Sequence, residues 1–217
     1  MAAQTSSLKS SVNQFAKALT KYAPRYGVRL QDSMTEALSI YYEQLMLWNQ
    51  RLHLVAPSTP AEFATRHVLE SLLALPHIGP GSLVIDLGSG GGLPIIPCLI
   101  ARPDIQARLF EASPKKAVFL REALDQTGAR QRAVVLDVRF EHRSTPQGNV
   151  VTCRAIERFA QMLPTIYDWS PPASRLLFFG SRAVQQWLES TTLEYHTFHI
   201  PESTQRYLFV LEKPAPI

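Results

Sequence analysis

Residues 83–94 are LVIDLGSGGGLP, and this stretch decides the fold. A β-favouring run enters an aspartate, and glycines at 88, 90, 91 and 92 follow at once. That order is expected of a strand that breaks into a tight loop and then opens a helix, because glycine takes backbone conformations closed to other residues. In open α/β sheets ligands bind beyond the carboxyl ends of strands, where a following helix also points its amides and positive dipole.

Outward from the loop, short β-rich runs alternate with helical segments. Strands are expected at 82–87, 107–111, 133–138, 149–154, 174–179, 192–200 and 205–212, and helices at 93–101, 114–127, 157–168 and 182–190. Such alternation predicts an α/β fold with a mostly parallel, seven-stranded sheet covered by helices. The last two strands have only a short turn at 201–204 between them, so they are expected to pair as an antiparallel hairpin at one edge. Residues 1–79 carry helical periodicity and no strand-like run. They are expected to form an N-terminal helical subdomain, with residues 80–217 forming the ligand-binding domain. Within 33–53, Ala37, Ile40, Tyr41, Leu45, Leu47 and Trp48 fall near helical spacing, and Ser33 with Glu36 has the form of a capping box. A further helix is expected from Ala61 to about Leu75. Trp48 and Asn49 are expected to join the two halves as an aromatic anchor with a polar partner.

The loop excludes two ligand classes. A dinucleotide fingerprint starting at Gly88 and Gly90 needs a third glycine where Leu93 stands, and no lysine completes a P-loop. Asp86, two residues before the first glycine, would repel a pyrophosphate and suits a cationic ligand. S-adenosylmethionine has an ammonium and a sulfonium and no phosphate. Glu111 ends the second strand about 20 residues on, where an acid accepts hydrogen bonds from ribose hydroxyls. Asp137 and Glu141 lie near the end of the third, where an adenine would lie.

These features together resemble the bacterial 16S ribosomal RNA guanine-N7 methyltransferase G family, also called glucose-inhibited division protein B. The resemblance runs from about Tyr41 to Arg154. It is carried by LMLWNQRLHLV (45–55), RHVLES (66–71), DLGSGGGLPIIP (86–97), EASPKKAVFL (111–120), RFE (139–141) and CRA (153–155). It implies a class I methyltransferase (Rossmann-like) domain with S-adenosyl-L-methionine as cofactor, held by Asp86, Gly88, Gly90, Leu93, Glu111, Ala112 and Ser113, with Phe140 and Glu141 flanking the adenine. It implies that Arg154 sits beside the transferred methyl group, as a catalytic and cofactor-binding residue. Because the product guanine becomes cationic, its part is expected to be positioning. The implied acceptor is a guanine of 16S ribosomal RNA, free or in the small ribosomal subunit. Arg66, His67, Lys115, Lys116, Arg121 and Arg139 are the candidate RNA contacts, with Arg158 a further one. Ile95, Glu70 and Phe179 depart from the family's usual glycine, aspartate and lysine. Two alternatives stay open: a methyltransferase for a small-molecule or protein acceptor, and a non-catalytic cofactor-binding module.

Composition sets the outer bounds. The 217 residues are 46% apolar, enough for a sizeable core, and the net charge of +4 permits a nucleic-acid partner without demanding one. Cys98 and Cys153 have no metal or disulfide spacing and are expected to be buried thiols, so no metal is expected. The first residues lack an apolar signal core, and no stretch approaches the roughly 20 apolar residues that span a bilayer. A cytoplasmic monomer is expected.

Overall fold

The computed structural model describes residues 2–154 and 159–215. Its sheet has seven strands: β1 (Leu83–Leu87), β2 (Gln106–Phe110), β3 (Ala133–Leu136), β4 (Val150–Arg154), β5 (Arg175–Gly180), β6 (Tyr195–His199) and β7 (Tyr207–Glu212). Their order is β3-β2-β1-β4-β5-β7-β6. β1 to β5 run parallel, and β7 is antiparallel to both β5 and β6. The expected hairpin is present, and it inserts β7 between β5 and β6. The order reverses at β1, with β2 on one side and β4 on the other. That is the switch point at which an open sheet leaves a crevice.

The N-terminal half is helical: α1 (Ala2–Tyr22), α2 (Asp32–Leu52), α3 (Pro60–Phe63), a π-helical turn (Ala64–Leu69) and α4 (Glu70–Leu72). The stripe that α2 buries is Leu38, Tyr41, Tyr42 and Leu45, while Leu47 faces out at 47% exposure. The expected capping box at Ser33 and Glu36 does not form. The helix begins at Asp32, after Gln31, without a side-chain cap. The true box is Thr59 with Glu62, which starts α3: the Glu62 amide donates to Thr59 Oγ1 at 3.2 Å and the Thr59 amide to Glu62 Oε2 at 2.8 Å. The expected helix at 61–75 is thus present but widened at its centre. Such a π segment shifts the side chains that follow it and is frequent at functional sites.

α5 (Ile95–Ala101), α6 (Pro114–Gln126), α7 (Phe159–Trp169) and α8 (Arg182–Glu189) complete the layers. One buried cluster runs from Phe15, Tyr41 and Phe63 through Leu69 and Leu99 to Leu120 and Leu124, so the helical half and one sheet face share a core. The other sheet face packs Ile85, Val151, Phe178 and Phe209 against Leu163, Ile166 and Leu188. Ile95 is fully buried in the first cluster, so its departure from the family's glycine fills core. Both cysteines are buried. Trp48 lies 6.1 Å from Phe119 between ring centres, joining α2 to α6, and Asn49 clamps Val55 through both its amide and its carbonyl.

Candidate active site

The glycine loop turns through left-handed backbone at Gly88, Gly90 and Gly92. A Cβ at Gly92 would also lie 2.4 Å from Ile96 Cδ1, so that buried side chain would have to shift to admit one. Glu111, just past β2, organises the loop from the neighbouring strand. Its Oε2 accepts the Gly90 amide at 2.7 Å and its Oε1 the Ser113 amide at 2.8 Å. A carboxylate has about four lone-pair sites, and two amides leave two for a diol. Ser113 caps α6 as expected, its Oγ accepting the Lys116 amide at 3.5 Å. Ala112 between them is exposed.

Asp86 lies inside β1 rather than at its end, and is 1% exposed. Alternation sends it to the helical side of the sheet, opposite Ile85 and Leu87. Thr152 Oγ1, on β4, donates to its Oδ1 at 2.6 Å, while Oδ2 has no hydrogen-bond partner among the described residues. Burial raises its pKa to about 7, against the hydrogen bond from Thr152. An orphaned carboxylate oxygen is expensive to bury and ready to ionise beside a cation. Asp86, the left-handed glycines and the two open lone-pair sites of Glu111 therefore fit a ligand with a cationic amino end and a ribose.

Phe140 is buried. Its ring meets Trp169 edge-on at 5.2 Å within the second core cluster, while Glu141 beside it is exposed. Leu93 is buried in the shared core below the loop. Arg154, at the end of β4, follows Cys153, the register partner of Leu87, and so stands level with Gly88. Sequence reasoning left it a group for the ligand to meet, but the structure commits its terminal nitrogens to the N-terminal half. Nη1 donates to His67 O and Ser71 Oγ, both at 3.3 Å, and Nη2 to Arg66 O at 2.7 Å, with Glu70 Oε1 at 3.3 Å. Glu70, 2% exposed, also pairs with Arg206. Burial pushes the Glu70 carboxyl up, and the guanidinium groups oppose that shift.

The family model for rRNA small subunit methyltransferase G matches residues 34–199. The chain belongs to that family. It is 32% identical over 163 residues to the ribosomal RNA small subunit methyltransferase G of Chromobacterium violaceum, covering 75% of this chain and 73% of that one. The Neisseria meningitidis protein of the same name is 35% identical over 137 residues, covering 63% and 66%. Among solved structures, an RNA methyltransferase from Salinibacter ruber in complex with S-adenosyl-L-homocysteine aligns with a TM-score of 0.54 at 15% identity, over 75% of this chain and 96% of that chain. An O-methyltransferase family 2 protein from Planctomyces limnophilus aligns with a TM-score of 0.58 at 15% identity, over 83% and 64%. These two likenesses establish the fold, a class I methyltransferase sheet.

The candidate RNA residues divide. Lys115 is exposed and lines a hollow of about 320 Å³ with Trp48 and Arg51. Lys116 is half-buried beside it, and Arg66 and Arg139 are exposed. Arg121 is turned inward: Nη2 donates to Val135 O at 3.3 Å and faces Asp137 at 3.6 Å, so it braces the end of β3. His67 packs on Phe63, with ring centres 4.9 Å apart, and its Nδ1 faces Arg154 at 3.4 Å. Burial and the neighbouring arginines lower its pKa to about 3, so it is a neutral ring at physiological pH and brings no charge to a phosphate. Arg158 and Ala155 lie outside the described residues.

Three residues of this site carried no signal of their role in the sequence. Tyr41, counted as an apolar helix position, donates its hydroxyl to Gly91 O in the loop. Thr152 reaches Asp86 from the adjacent strand, where the two are register partners, and Arg206 reaches Glu70 from the far end of the chain. Only pairing register and the hairpin bring these partners together.

Proposed function

We propose that this chain methylates N7 of a guanine in 16S ribosomal RNA, with S-adenosylmethionine as methyl donor. As a member of the rRNA small subunit methyltransferase G family it is a methyltransferase of small-subunit ribosomal RNA. The observation that carries the cofactor reading is Glu111 tied to the Gly90 amide, with Asp86 Oδ2 left without a hydrogen-bond partner among the described residues just before the same loop. When bound, the cofactor supplies an electrophilic methyl group on a cationic sulfur. Asp86 and the loop would hold its amino-acid end, and Glu111 its ribose.

The remaining work of the protein is alignment. Guanine N7 offers a lone pair and carries no proton, so the transfer needs no general base. Holding nucleophile and methyl group in line supplies the rate. The site agrees with this economy: His67 is neutral and packed, and both cysteines are buried. Arg154 fixes the π turn of the N-terminal half against the end of β4 and thereby shapes the acceptor side of the crevice. Lys115 and Arg51, both exposed, form a cationic rim suited to phosphates, with Lys116 half-buried next to Lys115. We read the enzyme as a cytoplasmic monomer; no helix among the described residues is long and apolar enough to cross a membrane.

The test is transfer of a labelled methyl group from S-adenosylmethionine to small ribosomal subunits, to protein-free 16S ribosomal RNA and, as controls, to transfer RNA and ribosomal protein. Label in either small-subunit substrate supports the proposal. Label only in ribosomal protein, or binding of the cofactor without transfer, would replace it by one of the two alternative functions, and label only in transfer RNA would overturn the 16S acceptor.

A further inference from the structure

A cavity of about 320 Å³ opens at the carboxyl ends of β4 and β5, lined in part by Glu70, Arg154, Phe159, Phe179, Val184 and Arg206. It lies on the opposite side of the switch point from Glu111. Arg154 is level with Gly88, and Phe179 is the register partner of Arg154 on the next strand. Strands are about 4.8 Å apart, so the cavity begins within about 10 Å of the glycine loop. The cofactor reading places that ligand over β1 and β2, which leaves this cavity for the acceptor nucleotide.

The cavity has two kinds of wall. Phe159, Phe179 and Val184 offer apolar and aromatic surface for a base. The polar wall holds two arginines on one buried acid, and they are not equivalent. Both terminal nitrogens of Arg154 are committed to Arg66, His67, Glu70 and Ser71. The Arg206 side chain makes hydrogen bonds to one partner among the described residues, from Nη1 to Glu70, and it is 28% exposed. A guanidinium has five donors in a fork that matches phosphate. Arg206 thus keeps both Nη2 donors for a ligand, where both terminal nitrogens of Arg154 are engaged.

Resting on the function proposed above, we infer that Arg206, carried in by the turn between β6 and β7, binds the backbone phosphate of the acceptor nucleotide, and that Glu70 is the positioning residue that aims it. Arg206 lies beyond residue 199, where the family match ends. Two contacts to the N-terminal half hold the hairpin tip in place. Tyr26 donates to Pro201 O at 3.2 Å, and Arg25 pairs with Glu202.

The experiment is steady-state methylation of ribosomal RNA over a range of salt, with wild type, Arg206→Gln and Arg206→Lys, alongside S-adenosylhomocysteine affinity and melting temperature. For Arg206→Gln we expect KM for RNA to rise about tenfold, with the loss falling on KM rather than kcat. The slope of log kcat/KM against log salt should shrink by about 0.7, as for one lost phosphate contact. Arg206→Lys, which keeps the charge, should restore the slope. A folded Arg206→Gln with wild-type KM and slope overturns the inference. So does a parallel fall in melting temperature and S-adenosylhomocysteine affinity, which would make Arg206 a strut for Glu70. A wild type that methylates no RNA would remove the parent reading instead.

Discussion

The hydroxyl of Tyr41, in α2, donates to the carbonyl of Gly91 in the middle of the glycine loop. A helix of the N-terminal half therefore holds the glycine loop in place, the segment proposed above to carry the cofactor. Gly91 is packed there as well: a Cβ on it would meet Leu45 and Leu54 at 3.5 and 3.6 Å. Tyr41→Phe removes the donor and leaves a buried carbonyl unpaired. We expect a loss of about 1–3 kcal/mol in urea unfolding. S-adenosylmethionine affinity should weaken, although Tyr41 is not among the residues assigned to the ligand.

Glu111 has a stronger claim on the loop, because it accepts from both Gly90 and Ser113. Glu111→Ala frees both amides and removes the proposed ribose acceptor. Calorimetry should find cofactor affinity reduced at least a hundredfold, with about 1–3 kcal/mol of stability lost from each amide left buried. Glu111→Gln keeps one acceptor oxygen and should lie between. Wild-type affinity in Glu111→Ala would place the ribose elsewhere.

Glu70 is buried between Arg154 and Arg206. Deleting one partner of a buried ion cluster leaves charge uncompensated, so Glu70→Ala should cost about 3–5 kcal/mol in denaturant unfolding. Glu70→Gln keeps the shape and should cost less. Equal stability of Glu70→Ala and wild type would mean that the cluster is open to water.

Asp86 and His67 give stability opposite slopes with pH. Burial raises Asp86 from 3.8 to about 7, so the folded chain binds that proton more tightly than the unfolded one. Its stabilisation is full below pH 3.8 and is lost as pH rises to about 7. His67 falls from 6.5 to about 3, so its contribution is full above pH 6.5 and is lost as pH drops toward 3. Without cofactor, Asp86→Asn should steepen the net rise of stability with pH in the shared window. His67→Gln should turn it toward a fall. Melting midpoints between about pH 4 and 8 separate the two slopes. Unchanged slopes in both variants would show these groups to be solvated.

The sheet was legible because its strands are short β-rich runs punctuated by helices and turns. β6 and β7 paired as expected because too few residues separate them for a crossover. The loop was legible because glycine at 88, 90 and 92 answers a backbone demand that the structure meets with positive φ. Local pattern failed where a partner is distant. Ser33 and Glu36 have the spacing of a capping box, yet the helix starts two residues earlier than that box requires, at Asp32 after Gln31. Arg121 and Arg154 are arginines near a site by sequence, but what their donors meet depends on the end of β3 and on the π turn. The π turn itself has no periodic signature, since Ala64–Leu69 fits an ordinary helix pattern equally well.

The most direct test of the central claim is nucleoside mass spectrometry of 16S ribosomal RNA after incubation of small ribosomal subunits and free RNA with the enzyme and S-adenosylmethionine. The RNA should come from cells that lack this activity. We predict one new 7-methylguanosine per RNA, absent with Glu111→Ala. A methyl group on another atom or another base, or none in either substrate while the cofactor still binds, would contradict the account.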